Sequence, residues 1–224
     1  MDTLKTQEEN SIATTGIIPI NIKDEQYKLL ISFYTEAMNQ TINQLEEIKK
    51  AFKIIYGYDV INSISSRIKT PESIINKMKK KNYELNYKNL IENINDVAGI
   101  RIVCMQKDNI NSVINVIKQM QNVKIVNEKD YIKNPKKSGY SGYHMIIEAM
   151  IQVNETEIPI KVEIQIRTMA MDFWSTNEHK LKYKTNKELS KSDSRKLTFY
   201  AKVLNLIDDR IMKIYNRQSR MVNM

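Results

Sequence analysis

Between Val162 and Lys182 the chain reads VEIQIRTMAMDFWSTNEHKLK, and its polar residues fall where they can act together. An extended strand points successive side chains to opposite faces. Ile158, Ile160, Val162, Ile164 and Ile166 therefore share one face, and Lys161, Glu163, Gln165 and Arg167 share the other. A solvated strand face ordinarily carries a mix of Lys, Glu and Thr. Here a carboxylate, an amide and a guanidinium stand in a row, directly before an amphipathic helix bearing Asp172, Glu178 and His179. Such a set can hold a metal ion and a phosphate at the end of a sheet.

A second carboxylate, Asp96, opens the apolar run DVAGIRIVC. A carboxylate in a sheet is costly unless it is paired, hydrated or metal-bound. Two carboxylates from neighbouring strands can share Mg²⁺, which takes one or two such ligands and completes its shell with water and phosphate oxygens. Spacing alone leaves the alternative open, an ordinary charged residue at a strand end. Arg67, Lys69 and Lys77 surround Ser73 at a helix start, where backbone N–H groups and the helix dipole favour anions. They form either a triphosphate cradle or a solvated basic face. Arg101, between Ile100 and Ile102, needs a partner or a ring to stack on. The segment KNPKKSGYSGYH combines Lys136, Lys137, Gly139, Tyr140, Gly142, Tyr143 and His144. It can close over a nucleotide with a tyrosine on the base, or it is a basic surface loop with His144 as a structural hydrogen bonder.

These groups need a mixed α/β (α+β) framework to position them. Asp24 to Tyr56 repeats apolar residues at three- and four-residue steps, which predicts a long helix ended by Gly57. Val60 to Ile68 reads as a loop leading into a short strand. Thr70-Pro71 starts a helix over Glu72 to Lys81. Asp96 to Cys104 is a buried strand, Asp108 caps a helix through Gln121, and Val123 to Val126 is a further strand. Asn127 to Gly142 reads as a loop. Tyr143 to Val153 and Ile158 to Arg167 form a hairpin around 154–157. A helix follows from Met169 to about Tyr183, then a polar linker from Thr185 to Ser194. Leu197, Tyr200, Leu204, Ile207, Ile211 and Ile214 then mark a long helix with a narrow apolar seam. Strands alternating with helices, then a hairpin, predict a mixed sheet with helices against it.

Composition narrows the function classes. The 224 residues carry a formal net charge of +9, which welcomes anionic partners without naming them. No apolar run is long enough to span a bilayer, and the acidic, polar N-terminus is not a secretory signal. Cys104 is the only cysteine, so neither an intrachain disulfide nor a cysteine zinc site is expected. Together these predict a cytoplasmic protein with no membrane partner. A GxxxxGK[ST] loop, a protein-kinase motif set and a GxSxG elbow are all missing. Phosphate chemistry in this chain must use carboxylate-bound Mg²⁺ on a sheet.

DVAGIRIVC, SGYSGYH, VEIQIRTMAMDFW and EHKLKYK, in this order, resemble the synthetase domain of the alarmone synthetases, the RelA/SpoT-type GTP pyrophosphokinases. The resemblance runs from about Tyr27 to the C-terminus. With no room for a hydrolase or regulatory domain, the chain is most similar to the small, single-domain members. The resemblance implies a nucleotidyltransferase-like sheet of about five strands with long terminal helices. It also implies Mg²⁺-dependent transfer of the β,γ-pyrophosphoryl group of ATP to the ribose 3′-hydroxyl of GDP or GTP (GMP being a third acceptor), releasing AMP. By the same resemblance Asp96 and Glu163 are the catalytic, metal-holding acids, and Glu163 also a proton acceptor. Arg67 and Arg101 sandwich the adenine, and Lys69, Ser73 and Lys77 surround the ATP phosphates. Tyr140 stacks on guanine, while Lys136, His144, Gln165, Arg167, Asp172 and Glu178 line the acceptor side.

The implied organisation is an N-terminal arm, 1–23, a synthetase domain, 24–184, and a helical extension, 185–224. Homotetramers built through the terminal helices, with alarmone or single-stranded RNA as further ligands, also belong to the resemblance. One departure stands out: the family's Gly-Tyr-Arg-Ser-x-His loop has Ser141 in place of the arginine, which predicts a weaker phosphate contact unless Lys136 or Lys137 compensates. Two rival readings are a non-catalytic guanine-nucleotide or RNA-binding regulator, which predicts lost carboxylates, and an RNA-end nucleotidyltransferase, which predicts a Gly-Ser and Asp-x-Asp signature.

Overall fold

The computed structural model describes residues 19–184 and 189–222. Helix α1 (Glu25–Tyr56) is followed by β1 (Ile61–Ile68), α2 (Pro71–Lys80), α3 (Tyr87–Asn93), β2 (Ala98–Cys104) and α4 (Lys107–Ile117). Then come β3 (Val123–Asp130), β4 (Tyr143–Val153), β5 (Thr156–Thr168), α5 (Met169–Lys184) and α6 (Lys191–Val222). The strands form one five-stranded sheet in the order β1-β2-β5-β4-β3. Only β2 and β5 pair in parallel; the other neighbours are antiparallel. The mixed α/β sheet expected from the sequence is therefore present.

Alternation along the strands divides the sheet into two unlike faces. Ile100 and Ile102 of β2, Met145 and Ile147 of β4, and Val162, Ile164 and Ile166 of β5 lie in one buried cluster. Leu45 of α1, Ile74 of α2, Leu90 of α3 and Val113 of α4 complete it. The intervening residues of the same strands, Arg101, His144, Glu163 and Gln165, are only half-buried and share the opposite face. A fully buried aliphatic side chain contributes about 1.5–3 kcal/mol of transfer free energy, so this face fixes the register of the other.

Several boundaries differ from the sequence reading. In Val60 to Ile68, expected as a loop and short strand, Ile61–Ile68 is an eight-residue edge strand. Asn62, Ser63, Ser65, Ser66 and Arg67 hid it, because an edge strand can face solvent over much of its length. Helix α3 was not expected; it is seven residues long and begins where Asn86 Oδ1 accepts from Asn89 N at 2.8 Å. Helix α4 starts at Lys107 rather than after Asp108 and ends at Ile117, not Gln121. Asn122, at φ 59°, turns the chain into β3. Strand β3 runs on to Asp130, so the loop before β4 is shorter than expected. Helix α6 already begins at Lys191, inside the expected polar linker; 185–188 of that linker lie outside the described residues. So does the expected arm through residue 18, while Pro19 bridges Asn86 and Ile20 N donates to Leu85 O at 3.0 Å. No helix among the described residues is long and apolar enough to cross a membrane.

Candidate functional site

Cross-strand pairing assembles the site on the polar face. One row runs Lys129, His144, Gln165, Arg101, Ser65 across all five strands. The next runs Ile146, Glu163, Gly99, Arg67 from β4 to β1. Lys129 was missed from sequence, and the reason is physical. The register of β3 against β4 shifts between Ile125 and Asn127. A bulge of this kind inverts every side chain beyond it. Lys129 thereby comes opposite His144, a placement that alternation in the sequence does not reveal.

Two clusters meet on this face. In the first, Asp96 lies just before β2, where Lys69 N donates to Val97 O at 2.8 Å and extends the edge of the sheet. Lys69 Nζ is 3.0 Å and Lys77 Nζ 2.8 Å from the Asp96 carboxylate. Burial pushes the Asp96 carboxyl up, but the hydrogen bonds and charges of Lys77 and Lys69 outweigh it and hold the group below the usual carboxylate range. Thr70 caps α2, with Ser73 N donating to Thr70 Oγ1 at 3.3 Å and Thr70 Oγ1 donating to Ser73 Oγ at 2.9 Å. Ser73 therefore stands at the dipole-positive start of α2, while Lys77 reaches Asp96 from the last turn of the same helix.

The second cluster is a closed ring of hydrogen bonds. Arg167 Nη2 donates to Gln165 Oε1 at 2.7 Å, and Gln165 Nε2 donates to Glu163 Oε2 at 2.7 Å. Glu163 Oε1 lies 3.1 Å from His144 Nδ1, and His144 Nε2 bonds the hydroxyl of Tyr140. That hydroxyl accepts from Arg167 Nη2 at 3.0 Å, which closes the ring. The carboxylate can only accept, so His144 carries its proton on Nδ1 and Tyr140 donates to Nε2. Burial raises the Glu163 carboxyl, yet the hydrogen bonds from His144 and Gln165 bring it below its ordinary range. Asp172 anchors the ring from α5, 3.1 Å from Arg167 Nη1 and 3.3 Å from Arg101 Nη1. Arg101 thus has the partner that the sequence required.

Asp96 and Glu163 line one cavity of about 220 Å³ with Arg67, Gly99, Arg101 and Gln165. No group of three or more His, Cys, Asp or Glu side chains is placed to hold a metal among the described residues. Two carboxylates facing a space large enough for phosphate oxygens nevertheless suit Mg²⁺, which asks the protein for no more than that.

Tyr140, Lys136, Glu178 and Ser141 have distinct surroundings. Tyr140 is buried, 7% exposed, with Arg167 5.1 Å from its ring centroid and Lys136 Nζ 4.7 Å from it. Lys136 also lies 4.6 Å from the ring centroid of Tyr131, a residue that the sequence reading did not single out. Glu178 lines a crevice of about 450 Å³ with Lys137, Ser138, Arg195, Thr198 and Phe199. Ser141, expected on the phosphate side, instead lines a crevice of about 20 Å³ with Met171, Trp174, Ala201 and Asp208, and its Oγ is buried. The lone Cys104 is buried, and burial pushes its thiol up to about 12.

Helix α6 closes the site from behind. A Cβ on Gly139 would come within 2.6 Å of Ala201 Cβ, so the loop carrying Tyr140 rests directly on the helix. Trp174 Nε1 donates to Leu197 O at 3.0 Å, and Thr168 Oγ1 donates to Asp208 Oδ2 at 2.6 Å. Lys107 Nζ pairs with Asp209 at 2.6 Å.

Comparison with known proteins agrees with this geometry. Residues 66–188 match the region found in RelA/SpoT proteins. The chain is 37% identical over 190 residues to the GTP pyrophosphokinase YwaC of Bacillus subtilis, covering 85% of this chain and 90% of that one. It is 30% identical over 191 residues to the GTP pyrophosphokinase YjbM of the same organism, covering 85% and 89%. Among solved structures, small alarmone synthetase 2 from Bacillus subtilis superposes with a TM-score of 0.78 at 35% identity, covering 86% of this chain and all of that one. Small alarmone synthetase 1 bound to its product pppGpp superposes with a TM-score of 0.80 at 29% identity, covering 87% and 98%. A sheet of the same design, the matching region and relatives spanned over most of their length lead to one assignment: the chain belongs to the RelA/SpoT family of alarmone synthetases.

Proposed function

We propose that the chain is a GTP pyrophosphokinase that makes guanosine tetra- and pentaphosphate alarmones, the signals of the stringent response. It moves the β,γ-pyrophosphoryl group of ATP to the 3′-hydroxyl of GDP or GTP and releases AMP. The observation that carries this reading is the shared cavity of Asp96 and Glu163, flanked by the Lys69–Lys77 pair on one side and the hydrogen-bonded ring on the other. The rival regulator of the same fold has no use for two such carboxylates.

Asp96 and Glu163 are the residues that would hold Mg²⁺. When bound, the ion neutralises and aligns the phosphate oxygens. Arg67 and Arg101 stand one row apart on the adenine side of the cavity. Ser73 at the start of α2 receives the ATP phosphates together with the ammonium groups of Lys69 and Lys77. On the acceptor side Tyr140 offers its ring to guanine, and Gln165, Arg167, Asp172, His144 and Glu178 hold and orient the nucleotide. Lys129, in the His144 row, adds a cation for the 5′-phosphates. The 3′-oxygen attacks the β-phosphorus, the bond to the α-phosphate oxygen breaks, and AMP leaves. Glu163, its carboxylate oriented by His144 and Gln165, accepts the hydroxyl proton.

The apolar residues on the outer side of α6, Tyr200, Leu206, Ile207, Ile211 and Ile214, are exposed. They suit assembly into a homotetramer through the terminal helices, and the cytoplasm is the compartment that holds both substrates. The test is incubation with labelled ATP, GDP or GTP and Mg²⁺. AMP and a 3′-pyrophosphorylated guanosine nucleotide are expected; ATP hydrolysis alone, or RNA extension, contradicts the reading.

A further inference from the structure

Lys136 is an exposed lysine that makes no ion pair among the described residues, yet its ammonium is not simply in water. It sits 4.6 Å from the ring centroid of Tyr131 and 4.7 Å from that of Tyr140. Those rings meet edge to face at 5.8 Å, and each meets the ring of His144 in the same manner. Arg167 lies against Tyr140 too, but it is buried and held by Gln165 and Asp172. A base stacking on Tyr140 can therefore gain its place by moving Lys136, and not by moving Arg167.

The backbone around Lys136 is already fixed. Lys136 N donates to Tyr140 O at 3.0 Å, and Gly139 N donates to Lys136 O at 2.8 Å. Gly139, at φ +95°, is pressed against Ala201 of α6. Release of the ammonium thus needs only rotation of a flexible four-carbon side chain, not loop opening. The ammonium leaves a cation–π site for a phosphate oxygen, a stronger partner for a point charge.

We propose that Lys136 is a specificity-determining residue that occupies the base's place on Tyr140 and yields it only to an acceptor whose 5′-phosphates it then binds. This rests on the reading of Tyr140 as the acceptor platform. For a phosphorylated nucleotide, the cost of displacing Lys136 is offset by the new contact. For a nucleoside it is not, so the enzyme discriminates against guanosine beyond the mere absence of a phosphate contact.

The test is titration calorimetry of the full chain with guanosine and with GDP, for wild type, Lys136→Ala and Lys136→Arg. In Lys136→Ala the guanosine Kd is expected to fall about threefold, because a cation–π contact no longer opposes stacking. The GDP Kd is expected to rise about tenfold, because a charge-assisted phosphate contact is lost. Lys136→Arg, which keeps both interactions, restores the wild-type ratio. A guanosine Kd that stays unchanged or rises in Lys136→Ala overturns the proposal while leaving the acceptor reading in place. Wild-type protein that binds neither compound overturns both.

Discussion

His144 Nδ1 lies 3.1 Å from Glu163 Oε1, while the other nitrogen of the same ring takes the Tyr140 hydroxyl. One imidazole thus ties the proposed catalytic carboxylate to the loop proposed to meet the acceptor. The two sides of the reaction are not independently adjustable.

Replacing His144 with Ala removes one bond to Glu163 and leaves the Tyr140 hydroxyl without its ring partner. Loss of a hydrogen bond to a charged group costs about 1.5–3 kcal/mol, which corresponds to about 10- to 100-fold in kcat. The ATP KM is expected to change little, since Lys69 and Lys77 lie on the other cluster. Steady-state kinetics with each substrate varied in turn checks the split.

Gly139 is the second constraint on the loop. Gly139→Ala adds backbone strain at φ +95° and a Cβ 2.6 Å from that of Ala201. The expected cost is about 1–3 kcal/mol in stability, with a raised acceptor KM and an unchanged ATP KM. Adding Ala201→Gly relieves the clash but not the strain, so thermal melts of the double variant should show partial recovery.

Ser141→Arg tests the placement of that position against α6. With its Oγ buried in a crevice of about 20 Å³ against α6, a long side chain there perturbs the loop–helix contact. The melting temperature should move, and the preference among GMP, GDP and GTP should not. Acceptor competition assays and thermal melts separate the two effects.

Asp208 gives a pH signature. Burial and nearby Asp209 raise its carboxyl, against the Thr168 bond and Lys107, and the net shift is upward. A carboxyl raised in the folded state favours the fold below the unfolded value of about 3.9, and that contribution is lost as pH rises through the folded value. Asp208→Asn still accepts from Thr168 but does not ionise. At pH 7 its melting temperature should exceed wild type by ~2 °C, and the difference should close toward pH 4. A difference that widens on acidification contradicts this.

Much of this could be read from the sequence, and the failures have local causes. The isoleucines alternating along β5 placed Glu163, Gln165 and Arg167 on one face, because a buried face leaves no freedom of register. Thr70-Pro71 marked the start of α2 through cap chemistry alone. What stayed hidden depended on contacts distant in sequence. The bulge in β3 turned Lys129 to the face of His144, and the approach of α6 set Ser141 in a crevice. Tyr131 joined Tyr140 and His144 only through the fold. The edge strand β1 was concealed by its own polarity.

The outer face of α6 leads to a prediction about assembly. With Ile207, Ile211 and Ile214 each about half exposed, light scattering at micromolar concentration should give a mass above that of one chain. Ile211→Glu should lower it. A monomer mass for the wild type ends the assembly argument.

The most direct measurement is conversion of labelled ATP and GDP by Asp96→Asn and by Glu163→Gln, each checked for an unchanged melting profile. Both variants are expected to lose AMP release and 3′-pyrophosphorylated product together, by at least about 100-fold, as befits removal of a metal-holding acid. Turnover near the wild-type rate in either amide would contradict the account.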